Sequence, residues 1–369
     1  MEKDKENKIL NVPALRFPGF TEEWNYESLD TIAPNITSGR SKPSLGEYNL
    51  YGSTGIIGKT ATADYSGDML LVARVGANAG SLQLVNDSCG ITDNTLIIKP
   101  CKLSSHYLYF YLQHYNLNRL VFGSGQPLIT AGMLKKVRIP FGNQLEQKKI
   151  ENFLCCIDER ITTQNKIIEK LETLIKGIVE LAFSHAATSN TLGCYITQIS
   201  QRNKTGKDLP VLSVSNKHGF VEQSEQFEDR IIASDDTSNY KIVDINDFAY
   251  NPARINVGSI ARLKDKECGI VSPMYICFRT SKDILPEYLE LFFKTVTFSF
   301  EVGKRLEGSV RLCLSYESLC EIVIPIISIR EQQSLVKMVT TFHSKLDVEK
   351  GFLSSYQSQK QCLLSQMFI

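Results

Sequence analysis

The sequence predicts an α+β chain. Two tandem mixed α/β domains are separated by two long antiparallel coiled-coil helices, in a pseudo-twofold arrangement. Three observations predict it. The chain repeats itself at a fixed offset, each repeat ends on a heptad-patterned helix, and each helix is preceded by short strand-like runs broken by Gly, Asn, Asp and Ser.

The repeat reframes everything else. VRIPFGNQLEQKKI from Val137 aligns with IVIPIISIREQQSL from Ile322, so Pro140 falls on Pro325, Glu146 on Glu331 and Gln147 on Gln332, an offset of 185. The same offset carries Gly123 onto Gly308, Ser124 onto Ser309, Leu134 onto Leu319 and Phe183 onto Phe368. Upstream it drifts to about 179–181, where IIKP at Ile97 faces ICFR at Ile276 and HYLYFYL at His106 faces EYLELFF at Glu287. Loop insertions inside a duplicated domain produce such drift.

Residues 1–11 carry charges of both signs and no long apolar segment, so they are expected to be a disordered tail and not a secretory signal. Residues 12–143 make the first domain, with strand runs Met69–Val75 and Asn94–Pro100, a helix at Tyr107–Leu112 and a last strand stopped by Pro140. Residues 144–186 make the first long helix. Its apolar seam reads Ile150, Leu154, Ile157, Ile161, Gln164, Ile168, Leu171, Ile175, Ile178 and Ala182, in alternating steps of four and three. Residues 187–327 repeat the domain, with runs Asp247–Pro252 and Met274–Arg279, a helix at Tyr288–Phe293 and a strand stopped by Pro325. Residues 328–369 repeat the helix: Leu335, Val339, Phe342, Leu346, Glu349, Leu353, Tyr356, Lys360, Leu363 and Met367.

Each helix is on the order of 50–60 Å long. One apolar stripe on so long a helix needs a partner, and the other copy supplies it. The pairing positions are therefore Ile150, Leu154, Ile157, Ile161, Ile168 and Leu171 with Leu335, Val339, Phe342, Leu346 and Leu353. Gln164 and Glu349 share one heptad slot, as a register-fixing polar pair or a solvent-facing stretch of seam.

Composition bounds the function. The 369 residues suit about two domains, and 43% hydrophobic content excludes a disordered chain. A net charge of +1 excludes a whole-chain electrostatic sponge for nucleic acid or membrane, but not a local basic face. No apolar run reaches the roughly 20 residues of a membrane span. The ten Cys show no CxxC or zinc spacing and read as buried thiols in a reducing cytosol.

Catalytic motifs fail one by one. Ser53–Thr60 (STGIIGKT) resembles a P-loop, but Ser53 stands in place of the first Gly and ATADYSGD after Thr60 is a poor helix. It reads instead as a Gly-rich loop whose backbone approaches a partner closely. Asn251–Arg254 (NPAR) lacks the aromatic that an adenine methyltransferase stacks on a flipped base. Asp235–Asp236 is isolated, and the five His have no zinc spacing.

Two heads on rigid arms make a ruler. Twofold proteins read DNA half-sites about 34–36 Å apart, one helical turn. Two related but unequal heads in one chain fit an asymmetric, bipartite target. The same ruler also fits a scaffold that spaces two protein partners.

VPALRFPGFTEEW (Val12–Trp24) followed by Leu29 resembles the N-terminal signature of type I restriction–modification specificity (S) subunits. YNLYGSTGIIG (Tyr48–Gly58), LVARVGANAGSLQLV (Leu71–Val85) and ITDNTLII (Ile91–Ile98) resemble one group of their target-recognition domains. LPVLSVSNKHGF (Leu209–Phe220), SNYKIV (Ser238–Val243), DFAYNPARINVGSIA (Asp247–Ala261) and GIVSPMYICF (Gly269–Phe278) resemble another. The EQ that opens each long helix resembles the start of the family's spacer. The likeness runs from about Val12 to Phe368, with one departure: the LRFPGF…W prologue is not repeated before the second head, which begins TLGCYI at Thr191 and is expected to pack differently there.

The resemblance implies a non-catalytic, cytoplasmic subunit that binds double-stranded DNA. It implies helices that dock two adenine methyltransferase (M) subunits, with restriction (R) subunits joining the full complex. S-adenosylmethionine, ATP and Mg²⁺ belong to those partners, and this chain is expected to hold no cofactor. DNA readers are then Arg, Lys, Asn, Gln, Ser or Thr on loops. In head one these are Ser53, Thr54, Arg74, Asn78 and Gln126; in head two, Lys204, Ser215, Asn216, Lys217, Tyr250, Asn251, Arg254, Asn256 and Arg311. The 185 offset makes Gln126 and Arg311 equivalent.

Overall fold

The computed structural model describes residues 11–121, 127–184, 188–223, 237–308 and 311–369. Met1–Lys166 with Lys350–Ile369 forms one compact unit and Ile167–Glu349 the other, so each long helix contributes to both.

The first unit holds β1 (Asn25–Ser28), β2 (Thr37–Ser38), β3 (Tyr48–Gly52), β4 (Gly55–Thr60), β5 (Asp68–Ala73), β6 (Leu82–Asn86), β7 (Gly90–Ile91), β8 (Thr95–Ile98) and β9 (Arg138–Phe141). They pair as a β1–β9 ribbon, a β2-β8-β5-β6 sheet and a β4-β3-β7 sheet, with β3 parallel to β7. Met69–Ala73 reads as an unbroken apolar run because both faces of β5 are covered. Leu70 and Val72 join the main core with the helix Ser105–Tyr115, while Met69 and Leu71 face a smaller core with Val85, Cys89 and Ile91. That helix starts where Ser104 Oγ accepts the Tyr107 N–H at 3.0 Å and stops at Asn116, in the left-handed region at φ 58°.

The second unit repeats this plan. Its strands are β10 (Thr188–Thr191), β11 (Ile196–Ile199), β12 (Val211–Ser215), β13 (Gly219–Glu222), β14 (Lys241–Asp244), β15 (Phe248–Tyr250), β16 (Ile260–Arg262), β17 (Cys268–Val271), β18 (Ile276–Thr280) and β19 (Val323–Ile326). They form a β10–β19 ribbon, a β11-β18-β15-β16 sheet and a β13-β12-β17-β14 sheet, again with one parallel pair, β12 and β17. β14 is the one strand without a counterpart among the described residues. The duplication therefore extends from letters to strand order.

The long helices run from Gln144 to Ser184 and from Ile329 to Met367. At 1.5 Å per residue each spans roughly 60 Å. Gln147 Nε2 donates to the Gly142 carbonyl at 2.8 Å and Gln332 Nε2 to the Ile327 carbonyl at 2.9 Å, the same bond 185 residues apart. Glu146 and Glu331 behave differently. Glu331 closes a capping box at the start of its own helix, accepting from the Ser328 N–H at 2.9 Å and Oγ at 2.7 Å. Glu146, only 1% exposed, accepts from both Arg16 Nε (2.6 Å) and Nη2 (2.9 Å) and from Trp24 Nε1 (3.1 Å). The prologue thus exists to meet a buried carboxylate that the second copy satisfies locally, which is why the second head does without one.

In the first unit the helices run antiparallel. Asp158 pairs with Lys360 at 2.6 Å, and Ile150 and Leu154 share a core with Leu364, Met367 and Phe368. In the second unit Phe183 packs on Tyr288 and Phe292, while Gln332 Oε1 accepts the Leu285 N–H at 2.8 Å, so one helix ends where the other begins.

Ile150, Leu154, Ile157, Ile168, Leu171, Leu335, Val339 and Leu346 are buried, and Ile161, Phe342 and Leu353 half-buried. Beyond Ile175 the expected seam needs correction. Ile178 and Ala182 are half-buried, and Val179 and Phe183 take the inner face. The second helix shifts at the same place, burying Leu364 and Phe368. A straight helix turns every 3.6 residues, so a 3.5-residue seam drifts off its face unless it takes an extra step of four.

Other expectations also change. Pro140 and Pro325 do not stop their strands, which continue to Phe141 and Ile326. Each proline carbonyl instead accepts a phenol: Tyr107 Oη donates to Pro140 at 3.0 Å and Tyr288 Oη to Pro325 at 2.8 Å. The cysteines are free but not all buried: Cys89 and Cys277 are, whereas Cys101, Cys156, Cys194 and Cys362 are exposed. Of the expected tail, residues 1–10 lie outside the described residues, and the Asn11 carbonyl accepts the Trp24 N–H at 3.0 Å.

Candidate nucleic-acid interface

Each head brings three segments together at one end of its sheets. In head one the β3–β4 turn carries Ser53 and Thr54, so the P-loop-like stretch is a hairpin strand and not the Gly-rich loop expected. Gln83 Nε2 on β6 donates to the Gly52 carbonyl at 2.9 Å and ties that turn to the loop 74–80 between β5 and β6. The third segment enters through Ile129 N–H to the Arg74 carbonyl (2.9 Å) and Gly76 N–H to the Pro127 carbonyl (3.0 Å). Thr54 and Asn78 are exposed. Arg74 is half-buried, and its Nε is buried with no hydrogen-bond partner. Gln126 lies outside the described residues.

Head two builds the same cluster. Ser215, Asn216 and Lys217 stand at the β12–β13 turn, where Ser215 Oγ accepts the Lys217 and His218 N–H groups at 3.3 and 3.4 Å. Ser259 Oγ donates to the Val214 carbonyl at 3.1 Å, tying this turn to the loop 252–258 between β15 and β16. The third segment enters through Leu314 N–H to the Pro252 carbonyl (3.1 Å), the counterpart of Ile129 on Arg74. Asn216, Lys217, Arg254, Asn256 and Arg311 are exposed. Lys204 is exposed five residues past β11, next to Asn203, whose N–H donates to the Tyr240 carbonyl at 2.9 Å, and no hydrogen bond among the described residues ties it to the cluster.

Two candidates are corrected. Tyr250 is fully buried, its hydroxyl donating to the Leu314 carbonyl at 3.2 Å. Asn251 is 9% exposed, and its Oδ1 accepts the Ala253 N–H at 3.1 Å, an Asx turn that shapes the loop around Pro252. Both build the site from beneath and do not line it.

A list of polar readers missed the apolar residues there. Ile56 and Ile57 are 57% and 53% exposed beside the first hairpin turn, and Val257 and Leu312 are each 52% exposed in the second cluster. The signal available was an apolar residue inside a turn-rich run. The reading also missed a cleft of about 390 Å³ beside the Ser215–Phe220 hairpin, lined by Lys217, His218, Lys264, Lys266 and Lys294. Burial pushes the Glu290 carboxyl up, but Lys294, Lys264 and Arg262 outweigh it and hold the group below its usual range. Among the described residues no cluster of His, Cys, Asp and Glu is arranged to hold a metal, and no helix is long and apolar enough to cross a membrane.

Residues 10–173 match the family model of the type I restriction modification DNA specificity domain. The fold matches a solved type I restriction–modification S subunit from M. genitalium at 20% identity, over 97% of this chain and 99% of that one, with a TM-score of 0.61. It also matches a chain solved in work on complex assembly and conformational transition of the type I R-M system, at 14% identity over 96% and 99% of the two chains, with a TM-score of 0.55. No curated relative matches. Residues 10–173 are thus similar to the type I restriction modification DNA specificity domain, and the chain shares the fold of the solved S subunit along nearly its full length.

Proposed function

We propose that this chain recognises double-stranded DNA for a type I restriction–modification complex. Each head reads one half of an asymmetric bipartite target, and the chain itself is non-catalytic. The observation that carries this reading is the loop cluster: both heads build it from the same three segments, but fill it with different side chains. A shared scaffold with divergent tips suits two unequal half-sites.

The long helices dock two adenine methyltransferase subunits, and restriction subunits join the full complex. Supporting this is a second apolar stripe on the outer face. Phe153, Ile167, Leu174 and Leu181 are exposed on the first helix, at or near one-third exposure or above. Met338 and Phe352, equivalent to Phe153 and Ile167 at the 185 offset, are 46% and 49% exposed on the second. Arg160 and Lys345 stand between them in both copies. S-adenosylmethionine, ATP and Mg²⁺ serve those partners.

By charge, head one carries a small positive excess and head two a small negative one, so phosphate contacts from this chain alone are few. Binding by the isolated chain is therefore weak, and the assembled methyltransferase binds tightly. Exchanging one head for that of another specificity subunit tests the reading. Methylome sequencing then shows half of the methylated sequence changed and the other half retained. An unchanged methylated sequence removes the DNA reading and leaves a two-headed protein scaffold.

A further inference from the structure

The loops 74–80 and 252–258 occupy one structural position. Ala73 N–H donates to the Ser81 carbonyl at 2.8 Å and Asn251 N–H to the Ser259 carbonyl at 3.1 Å, so each ladder closes over seven residues. Gly80 and Gly258 both take left-handed backbone, at φ 92° and 85°. Each of these matches lies at an offset of 178, which differs from the 185 that relates the long helices.

At that offset Asn78 falls on Asn256. The two loops read Arg-Val-Gly-Ala-Asn-Ala-Gly and Pro-Ala-Arg-Ile-Asn-Val-Gly, and share only this Asn and the Gly two residues on. The glycine has a backbone reason, since positive φ strains any L side chain. The asparagine has no such reason. Both Asn78 and Asn256 lie in a one-turn 3-10 helix, and both are exposed. Neither side-chain amide has a hydrogen-bond partner among the described residues, in contrast to Asn251, whose amide is used to shape its loop.

A free amide at the tip of a loop offers a donor and an acceptor side by side. The major-groove edge of adenine offers the complement, an N6 donor beside an N7 acceptor. Guanine presents two acceptors there, and an amide matches only one of them. We propose that Asn78 and Asn256 each read one adenine, at equivalent positions in the two half-sites. The assignment rests on the DNA reading above and adds the base and the residues that read it.

The test uses the assembled complex with its methyltransferase subunits and the duplex that it methylates. Adenines are replaced one at a time by 7-deazaadenine, which removes only the N7 acceptor. In the wild type, one replacement in each half-site weakens binding by about fivefold or more. Asn78→Ala removes the sensitivity in one half-site and leaves the other, and Asn256→Ala does the reverse. The retained half-site shows that the variant is folded and assembled. Sensitivity that survives both substitutions overturns the assignment while the DNA reading stands. A wild-type complex that does not prefer its own duplex to a scrambled one overturns the DNA reading, and this assignment with it.

Discussion

The Phe368 ring lies 5.5 Å from the Tyr107 ring, edge to face, deep in the first head. Phe183, 185 residues earlier, lies 4.7 Å from Tyr288 in the second. Each head therefore completes its core with the end of the helix that follows the other head in sequence. The aromatic anchor also sets the closing ribbon, because the same two tyrosines hold the Pro140 and Pro325 carbonyls.

Phe368→Ala removes a ring that is 3% exposed and also touches Trp24, Tyr111 and His114. Truncating a buried Phe costs about 3–5 kcal/mol. The expected outcome is local: amide hydrogen exchange rises in the first unit and stays unchanged around Tyr288. Phe183→Ala gives the mirror result. Exchange that rises equally in both units contradicts the assignment of one anchor to each head.

Arg16→Ala tests the prologue. It leaves the Glu146 carboxylate buried with Trp24 Nε1 as its remaining side-chain donor and no paired cation among the described residues. Stranding a buried charge costs about 3–5 kcal/mol. Urea denaturation should show that loss, and Glu146→Gln made together with Arg16→Ala should recover part of it because the stranded charge is gone. An equally unstable double variant points to lost packing instead. Glu331→Gln, at the exposed capping box, should leave the urea midpoint nearly unchanged.

The plan of the chain was legible because duplication leaves the same rare letters twice. Pro140 and Pro325, and the Glu-Gln pairs that open the helices, announced it. The seam shift to Val179 and Leu364 was not, since periods of 3.5 and 3.6 differ by too little to separate over two turns. Tyr250 and Asn251 were misplaced because residue type says nothing about depth. A tyrosine ending a central strand is a core residue, and an asparagine before proline is a turn former. The match of Asn78 with Asn256 was hidden by a third offset, which only the ladder bonds around the two loops reveal.

Acidification should weaken the first unit through His114. Burial, with Arg119 adding to it, holds the imidazole pKa below its ordinary 6.5. Well above pH 6.5 the ring is neutral in both folded and unfolded chains, and it adds no pH dependence. Below 6.5 the unfolded chain takes up a proton that the folded one resists, so stability falls as pH drops. Thermal unfolding between pH 7.5 and 5.5 checks this. His114→Gln should flatten the decline over that window, and an unchanged slope assigns the dependence to other groups.

Salt dependence separates residues that grip phosphate from those that read bases. Lys217, Arg254 and Arg311 are exposed in the second loop cluster, and no acidic partner pairs with them among the described residues. Each phosphate neutralised contributes about 0.9 to the slope of log K against log salt. Alanine at a phosphate-gripping position should lower the slope of the assembled complex by about that amount, and weaken target and scrambled duplexes alike. A base-reading position should leave the slope nearly unchanged and narrow the gap between the two duplexes. Fluorescence anisotropy across a salt series measures both quantities at once. Lys217 lines a cleft with Lys264, Lys266 and Lys294, whose ammonium groups pair with Glu290 and Glu222, and should itself behave as a phosphate contact. Arg254 shares its short loop with Asn256 and should act on bases. If all three substitutions leave both slope and selectivity untouched, the loop cluster of head two does not face DNA.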